Sequence, residues 1–271
     1  MKKLTALPTP ALVGAVREAG ENEAILDIKS CQEKGADMID LHLSCLEDTS
    51  EESLTRVISS TNLPILALHY NSKCDWSALG HSEEERVSLL LRALKCGAAG
   101  VDLQGYTFDL QSKERFCGED KYSFTKGNPR EIVTDEKVIE KQKELIERIH
   151  GMGKEVLLSC HPLIPMNTKQ VVELALFLEK RGADIIKIVT IANTKEQAIE
   201  SAQTMLELKK CVQTPVAYHT AGEAGKLSRL LNPALGGKIA FCVSDYHQNA
   251  TAGQPKLEVA KSVIEGLKSI L

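Results

Sequence analysis

The sequence predicts an α/β protein of the (β/α)8 TIM-barrel class, one domain spanning residues 1–271. Three observations predict it. Short β-rich apolar runs alternate with longer segments of helical periodicity through to the end of the chain. There are eight such runs, the barrel count, where an open doubly wound sheet carries fewer. The segment after the first run, "GAVREAGENEA", contains no G-x-G-x-x-G, so a dinucleotide-binding sheet has no support.

The candidate strands, in order, are "ALVGAV" (11–16), "DMIDLHL" (37–43), "PILALHY" (64–70) and "GVDLQGY" (100–106). They continue with "EVLLSCH" (155–161), "DIIKIVT" (184–190), "PVAYHTA" (215–221) and "KIAFCVS" (238–244). Between them, "EERVSLLLRALKCG" (84–97) sets Val87, Leu90, Leu91 and Leu94 at the spacing of one helix face. Segments 171–182 and 195–210 behave alike, with basic last turns, and a final helix covers 255–271. Residues 107–134 form a long polar connection after the fourth strand, and loops of that length are usually functional. On the active face of a barrel the expectation is a lid.

Composition narrows the partner to a small molecule. A net charge of −4 and an aromatic content of 4% argue against a nucleic-acid surface. The amino-terminal lysines precede an apolar run, but Pro8, Pro10 and Arg17 interrupt it too early for a signal segment. No stretch approaches the roughly 18 apolar residues of a membrane span, so a cytoplasmic protein without a membrane partner is expected. Eight scattered cysteines with no C-x-x-C pair form neither a zinc framework nor a disulfide scaffold. Cys96, Cys160 and Cys242 read as small buried hydrophobes.

In a barrel the chemistry sits at the carboxyl ends of the strands. Those ends carry Asp40, His42 and Ser44; His69 and Tyr70; Asp102 and Gln104; Ser159 and His161; Lys187; His219 and Thr220; Ser244 and Asp245. Lys187 is the sharpest member, an ammonium inside Ile185-Ile186-Lys187-Ile188-Val189. Burial disfavours the charged amine, and a neutral amine is a nucleophile toward a carbonyl. The structural alternative is a rim lysine that reaches solvent or pairs with an acid such as Asp102. His161 ends the adjacent strand, where an imidazole beside that amine can move protons. Histidines 42, 69, 161 and 219 with Asp245 also permit a metal centre, yet the first strand supplies no ligand, so none is expected. His81 and His150 lie on helical segments and read as solvated.

The segments "EVLLSCHPLI", "GADIIKIV", "GKLSRLL" and "ATAGQ" occur in the order and rough spacing of type I 3-dehydroquinate dehydratases, and the chain resembles that family. The resemblance implies a (β/α)8 barrel that uses no metal or organic cofactor and forms a homodimer. It implies a lyase converting 3-dehydroquinate to 3-dehydroshikimate in the shikimate pathway of aromatic amino acid biosynthesis. Lys187 takes the place of the imine-forming lysine and His161 that of the proton-moving histidine. Arg229 corresponds to the arginine that binds the substrate carboxylate, and Gln254 to the glutamine of the family's S-A-P-G-Q loop. Four positions depart. Asp40-Leu41-His42 stands where the family has E-x-R, Tyr70 where it has an arginine, Ala250 where it has the loop serine, and Pro162 where an acid or amide follows the histidine. Asp40, His42 and Tyr70 are therefore candidate substrate contacts of a rebuilt pocket, and Lys113, Arg115 or Lys121 of the long connection are candidate replacements for the missing cations. Two other outcomes stay open: a Schiff-base lyase or aldolase-like enzyme for another hydroxy-keto acid, and a barrel that binds a metabolite without turnover.

Overall fold

The computed structural model describes residues 2–70, 82–108, 132–247, 250 and 253–270. Eight parallel strands alternate with eight helices. The strands are β1 (Ala11–Val16), β2 (Met38–His42), β3 (Ile65–Leu68), β4 (Gly100–Gln104), β5 (Glu155–Cys160), β6 (Ile185–Ile191), β7 (Val216–Ala221) and β8 (Ile239–Cys242). The helices are α1 (Glu21–Glu33), α2 (Glu51–Ser59), α3 (Glu83–Lys95), α4 (Glu136–Gly151), α5 (Thr168–Glu179), α6 (Lys195–Cys211), α7 (Ser228–Ala234) and α8 (Leu257–Lys268). The sheet runs β7-β6-β5-β4-β3-β2-β1-β8. At the remaining seam, the Lys238 N–H donates to the Val216 carbonyl at 2.8 Å. The expected barrel is present, and each of the eight expected strand segments overlaps one of these strands; seven contain theirs, and β6 runs one residue further, to Ile191.

The turns that feed the strands have a repeated chemistry. Helices α1 and α5 are each followed by Gly-Ala-Asp, with Gly35 at φ 86° and Gly182 at φ 82°. That left-handed conformation suits glycine because it has no Cβ. The aspartates then tie neighbouring strands. Asp37 Oδ2 accepts the Leu12 N–H at 2.8 Å and Asp184 Oδ2 accepts the Val156 N–H at 2.7 Å. At the other helix ends, Ser82, Asn167 and Thr194 form capping boxes with Glu85, Gln170 and Gln197.

Two apolar layers result. Successive side chains of a strand point to opposite faces, so Ile186 and Ile188 join the shell between strands and helices. Ile185 instead joins the barrel interior with Val13, Met38, Leu66, Leu157, Ala217, Ile239 and Phe241. Leu4 and Leu7 of the amino-terminal segment belong to this inner cluster and close its floor. There the Lys238 ammonium donates to the Thr5 and Leu7 carbonyls at 3.0 and 2.8 Å.

One local expectation changes. Cys96, the cap residue after α3, is half-buried and packs only partly against the core; Cys160 and Cys242 are buried as expected. His150 lies exposed on α4 as expected, with its Nε2 2.8 Å from Asp184 Oδ2. The lid expected over 107–134, with Lys113, Arg115 and Lys121, falls mostly outside the described residues, as does His81.

The end of β4 is fixed by a buried arginine of α3. Arg86 donates to both Glu83 carboxylate oxygens at 3.0 and 2.6 Å, to the His69 carbonyl at 3.0 Å, to Gln104 Oε1 at 2.5 Å and to Thr107 Oγ1 at 2.8 Å. One guanidinium thus ties α3 to the ends of β3 and β4. Glu83→Gln keeps the shape and leaves Arg86 without its counter-charge. The expected cost is about 3–5 kcal/mol of unfolding free energy, read from urea titrations of the variant and the parent protein.

Candidate active site

The alternation that sends Ile186 and Ile188 outward sends Lys187 into the barrel. β5 and β6 pair with Ser159 opposite Lys187, and Asp102 is opposite Leu157 in the β4–β5 ladder. Asp102, Ser159 and Lys187 therefore face one another inside the mouth. Lys187 Nζ lies 3.3 Å from Asp102 Oδ2. The Asp102 carboxylate also accepts Ser159 Oγ, and Gln104 Nε2 at 3.2 Å. On its other side the ammonium sits 4.4 Å from the centroid of the Phe241 ring. The lysine thus has the acid partner that its sequence context left open. Burial raises the Asp102 carboxyl above its ordinary range, and Asp40 adds to this while Lys187 opposes it.

His161 follows β5, two residues beyond Ser159, which sets it one layer above Lys187 on the neighbouring strand. Burial holds its pKa well below 6.5, and the cationic Lys187 and Arg229 push in the same direction. The imidazole is therefore kept neutral. Its ring meets Tyr70 edge-on, with centroids 5.9 Å apart. Tyr70 lies two residues past β3 and meets His42 at 6.0 Å. His42 Nε2 stands 3.3 Å from Asp40 Oδ2. Burial alone would raise Asp40, but His42, Lys187 and Arg17 bring it below its ordinary value. A row His161–Tyr70–His42–Asp40 thus lines one side of the mouth.

Arg229 enters from the first turn of α7, which a single turn of 3₁₀ helix (Ala224–Leu227) joins to β7. Burial lowers its pKa to about 10. No carboxylate pairs with its guanidinium among the described residues. Gln254 precedes α8, is buried, and its Oε1 has no hydrogen-bond partner among the described residues; the same holds for Asp40 Oδ1. Orphaned buried oxygens cost about 1–3 kcal/mol each when left dry, so their concentration at one mouth marks a place for a polar ligand.

Histidines 42, 69, 161 and 219 do not converge as metal ligands. Among the described residues the grouping with metal-ligand spacing is Glu18, Asp27 and His247, where His247 Nδ1 lies 3.3 Å from Glu18 Oε1. Asp245 is turned aside by Lys256 at 2.5 Å.

Two site residues escaped sequence reasoning. Phe241 was legible only as strand filler, although its inward parity on β8 was available. Arg86 had no signal, since a helical arginine ordinarily faces water.

The neutral histidines predict a pH dependence of stability. The unfolded chain binds protons on His161 and His219 near 6.5, and the folded chain only well below that value. Stability is then complete above pH 6.5 and falls on acidification, by up to about 1.4 kcal/mol per pH unit for each histidine. Urea midpoints measured from pH 7 to 5 should fall, and His161→Gln should make the fall shallower.

Comparison with known proteins agrees with this geometry. The type I 3-dehydroquinase family matches residues 15–270. A 3-dehydroquinate dehydratase of Methanosarcina acetivorans is 28% identical over 249 residues, covering 89% of each chain. One of Aromatoleum aromaticum is 26% identical over 213 residues, 79% of this chain and 70% of that protein. A bifunctional 3-dehydroquinate dehydratase/shikimate dehydrogenase of Arabidopsis thaliana is 25% identical, and the chain spans 36% of its length. Among solved structures, the type I 3-dehydroquinate dehydratase of Clostridium difficile superposes with a TM-score of 0.74 at 16% identity, over 97% of this chain and 94% of that one. That of Geobacillus kaustophilus gives 0.76 at 14% identity, over 96% and 91%. The eight-stranded barrel, its inward lysine and a match over nearly the whole chain lead to one conclusion: this protein belongs to the type I 3-dehydroquinase family.

Proposed function

We propose that the protein is a Schiff-base dehydratase that converts 3-dehydroquinate to 3-dehydroshikimate, acting without metal or organic cofactor. The observation that carries this reading is an inward lysine next to a neutral imidazole, with a guanidinium at the same mouth that no carboxylate of the described residues pairs. An amine for a ketone, a base for a C–H bond and a cation for a carboxylate are the three groups this substrate requires.

The chemistry follows from those positions. Asp102, whose carboxyl is raised toward neutrality, takes a proton from the Lys187 ammonium across 3.3 Å. The freed amine attacks the ketone, and loss of water gives a cationic imine bonded to Nζ. The iminium withdraws electrons and acidifies the adjacent C–H bond. His161 removes that proton and leaves an enamine. The resulting imidazolium then protonates the β-hydroxyl, which departs as water, and the electron pair returns to a conjugated iminium. Water adds to this iminium, Lys187 is released, and the product leaves as a conjugated enone. Overall one water is lost. Arg229 holds the carboxylate, with Gln254 beside it, while Asp40, His42 and Tyr70 take the ring hydroxyls.

A second reading keeps Lys187 and changes the substrate to another hydroxy-keto acid, dehydrated or cleaved as by an aldolase. The Asp40–His42–Tyr70 row favours it, since it offers one carboxylate and an imidazole where the family has a glutamate and two arginines.

Borohydride reduction during incubation with 3-dehydroquinate should add the mass of the ligand to Lys187, with product absorbance rising before the quench. Lys187→Met should abolish the adduct and lower kcat about 10⁴-fold or more. His161→Ala should lower kcat about 10²- to 10⁴-fold and still permit some adduct. The acid limb of the parent rate profile should lie below pH 6.5, because the His161 base form persists there. A wild-type protein that is unlabelled and inactive with 3-dehydroquinate sinks the first reading.

A further inference from the structure

His219 is buried on β7, and the mechanism above gives it no task. The β6–β7 ladder sets Ala217 opposite Lys187, so His219 lies one inward layer higher, opposite Val189. Its ring meets Phe241 with centroids 6.3 Å apart, and that same phenyl ring carries Lys187 Nζ. Neither imidazole nitrogen has a hydrogen-bond partner among the described residues. Unlike both nitrogens of His42, neither is sealed from the open mouth.

The charges around it say which end of the mouth it serves. Burial holds the His219 pKa well below 6.5, and the groups facing it add to this: Arg229 from α7, Lys187 from β6 and His161 from β5. β8 presents the Phe241 ring. Among these charges Arg229 weighs most on His219, whereas Lys187 weighs most on His161. The Thr220 N–H donates to Ser228 Oγ at 2.8 Å, which sets the start of α7, and Arg229 with it, against the end of β7 beside His219, whereas His161 follows the β5 residue paired with Lys187. Among the described residues, the Arg229 end has a cation and an imidazole N–H donor without a hydrogen-bond partner, but no anion. Ala250, standing where the family's loop has a serine, brings no hydroxyl to it.

We propose that His219 is a specificity-determining residue that donates an N–H to the carboxylate held by Arg229, so that the two side chains together select a carboxylate-bearing hydroxy ketone. The inference rests on the reading of Arg229 as the carboxylate ligand in the dehydratase. A neutral imidazole suits the role, since it donates one hydrogen bond without adding a second cation beside Arg229.

The test uses quinate, which has the carboxylate and ring hydroxyls of 3-dehydroquinate and an alcohol in place of the ketone. It can therefore fill the mouth without forming an imine. Calorimetric titration of the full chain should show binding, weakened about tenfold or more in His219→Leu and in His219→Met. His219→Gln, which restores an N–H donor, should recover most of that loss. The KM for 3-dehydroquinate should rise in parallel. Either apolar variant suffices if the other does not fold by circular dichroism. Quinate affinity within about threefold of wild type in a folded apolar variant overturns the proposal, and so does a wild-type protein that fails to bind quinate. Borohydride labelling of Lys187 judges the dehydratase reading separately, and neither result dictates the other.

Discussion

The architecture of the mouth depends on the contact between Lys187 and Asp102. An ammonium inside a barrel core would be expelled or neutralised without a partner. Asp102 supplies that partner and is itself held by Ser159 and Gln104. Gln104 Oε1 accepts from Arg86, and Arg86 is locked to Glu83, His69 and Thr107. A continuous polar chain therefore runs from Lys187 at the barrel centre to helix α3. It fixes the lysine from behind and leaves its other side against Phe241.

The same chain constrains what surrounds the long connection after β4. Thr107 takes part in the arginine cluster, and Gln142 of α4 donates to the Gly105 and Thr107 carbonyls at 2.9 and 2.7 Å. Arg181, after α5, donates to Gln142 and to the Val133 carbonyl. Both ends of the connection are thus tied to buried side chains, the first to Arg86 of α3 and Gln142 of α4, the second to Arg181 after α5. Satisfied networks of this kind are rigid because each member would be costly to expose alone.

Charge is distributed unevenly across the mouth. Asp40 and Asp102 lie on the Lys187 side, while Arg229 and His219 lie where no acid of the described residues balances them. The proposed ligand, an anion with an electrophilic carbon, would complete this arrangement, its carboxylate supplying counter-charge at one end only. Orientation is then set before any covalent step, which is where binding energy is most useful to a reaction that must remove one particular hydrogen.

Much of this was legible in the residues. Apolar runs of strand length, separated by amphipathic helices, determine a barrel because each element has one face or two to bury. The parity of a strand determines that Lys187 cannot share a face with Ile186 and Ile188. The segment identities point to its family and to His161 and Arg229. What the sequence could not supply is distance. Asp102 as the lysine's partner, Arg86 as the anchor of β4 and His219 beside Arg229 join residues 85, 18 and 10 positions apart. Their pairing is decided by strand stagger, helix position and loss of water at the mouth. Those are properties of the closed barrel, because a side chain's charge state depends on which neighbours replace its solvent.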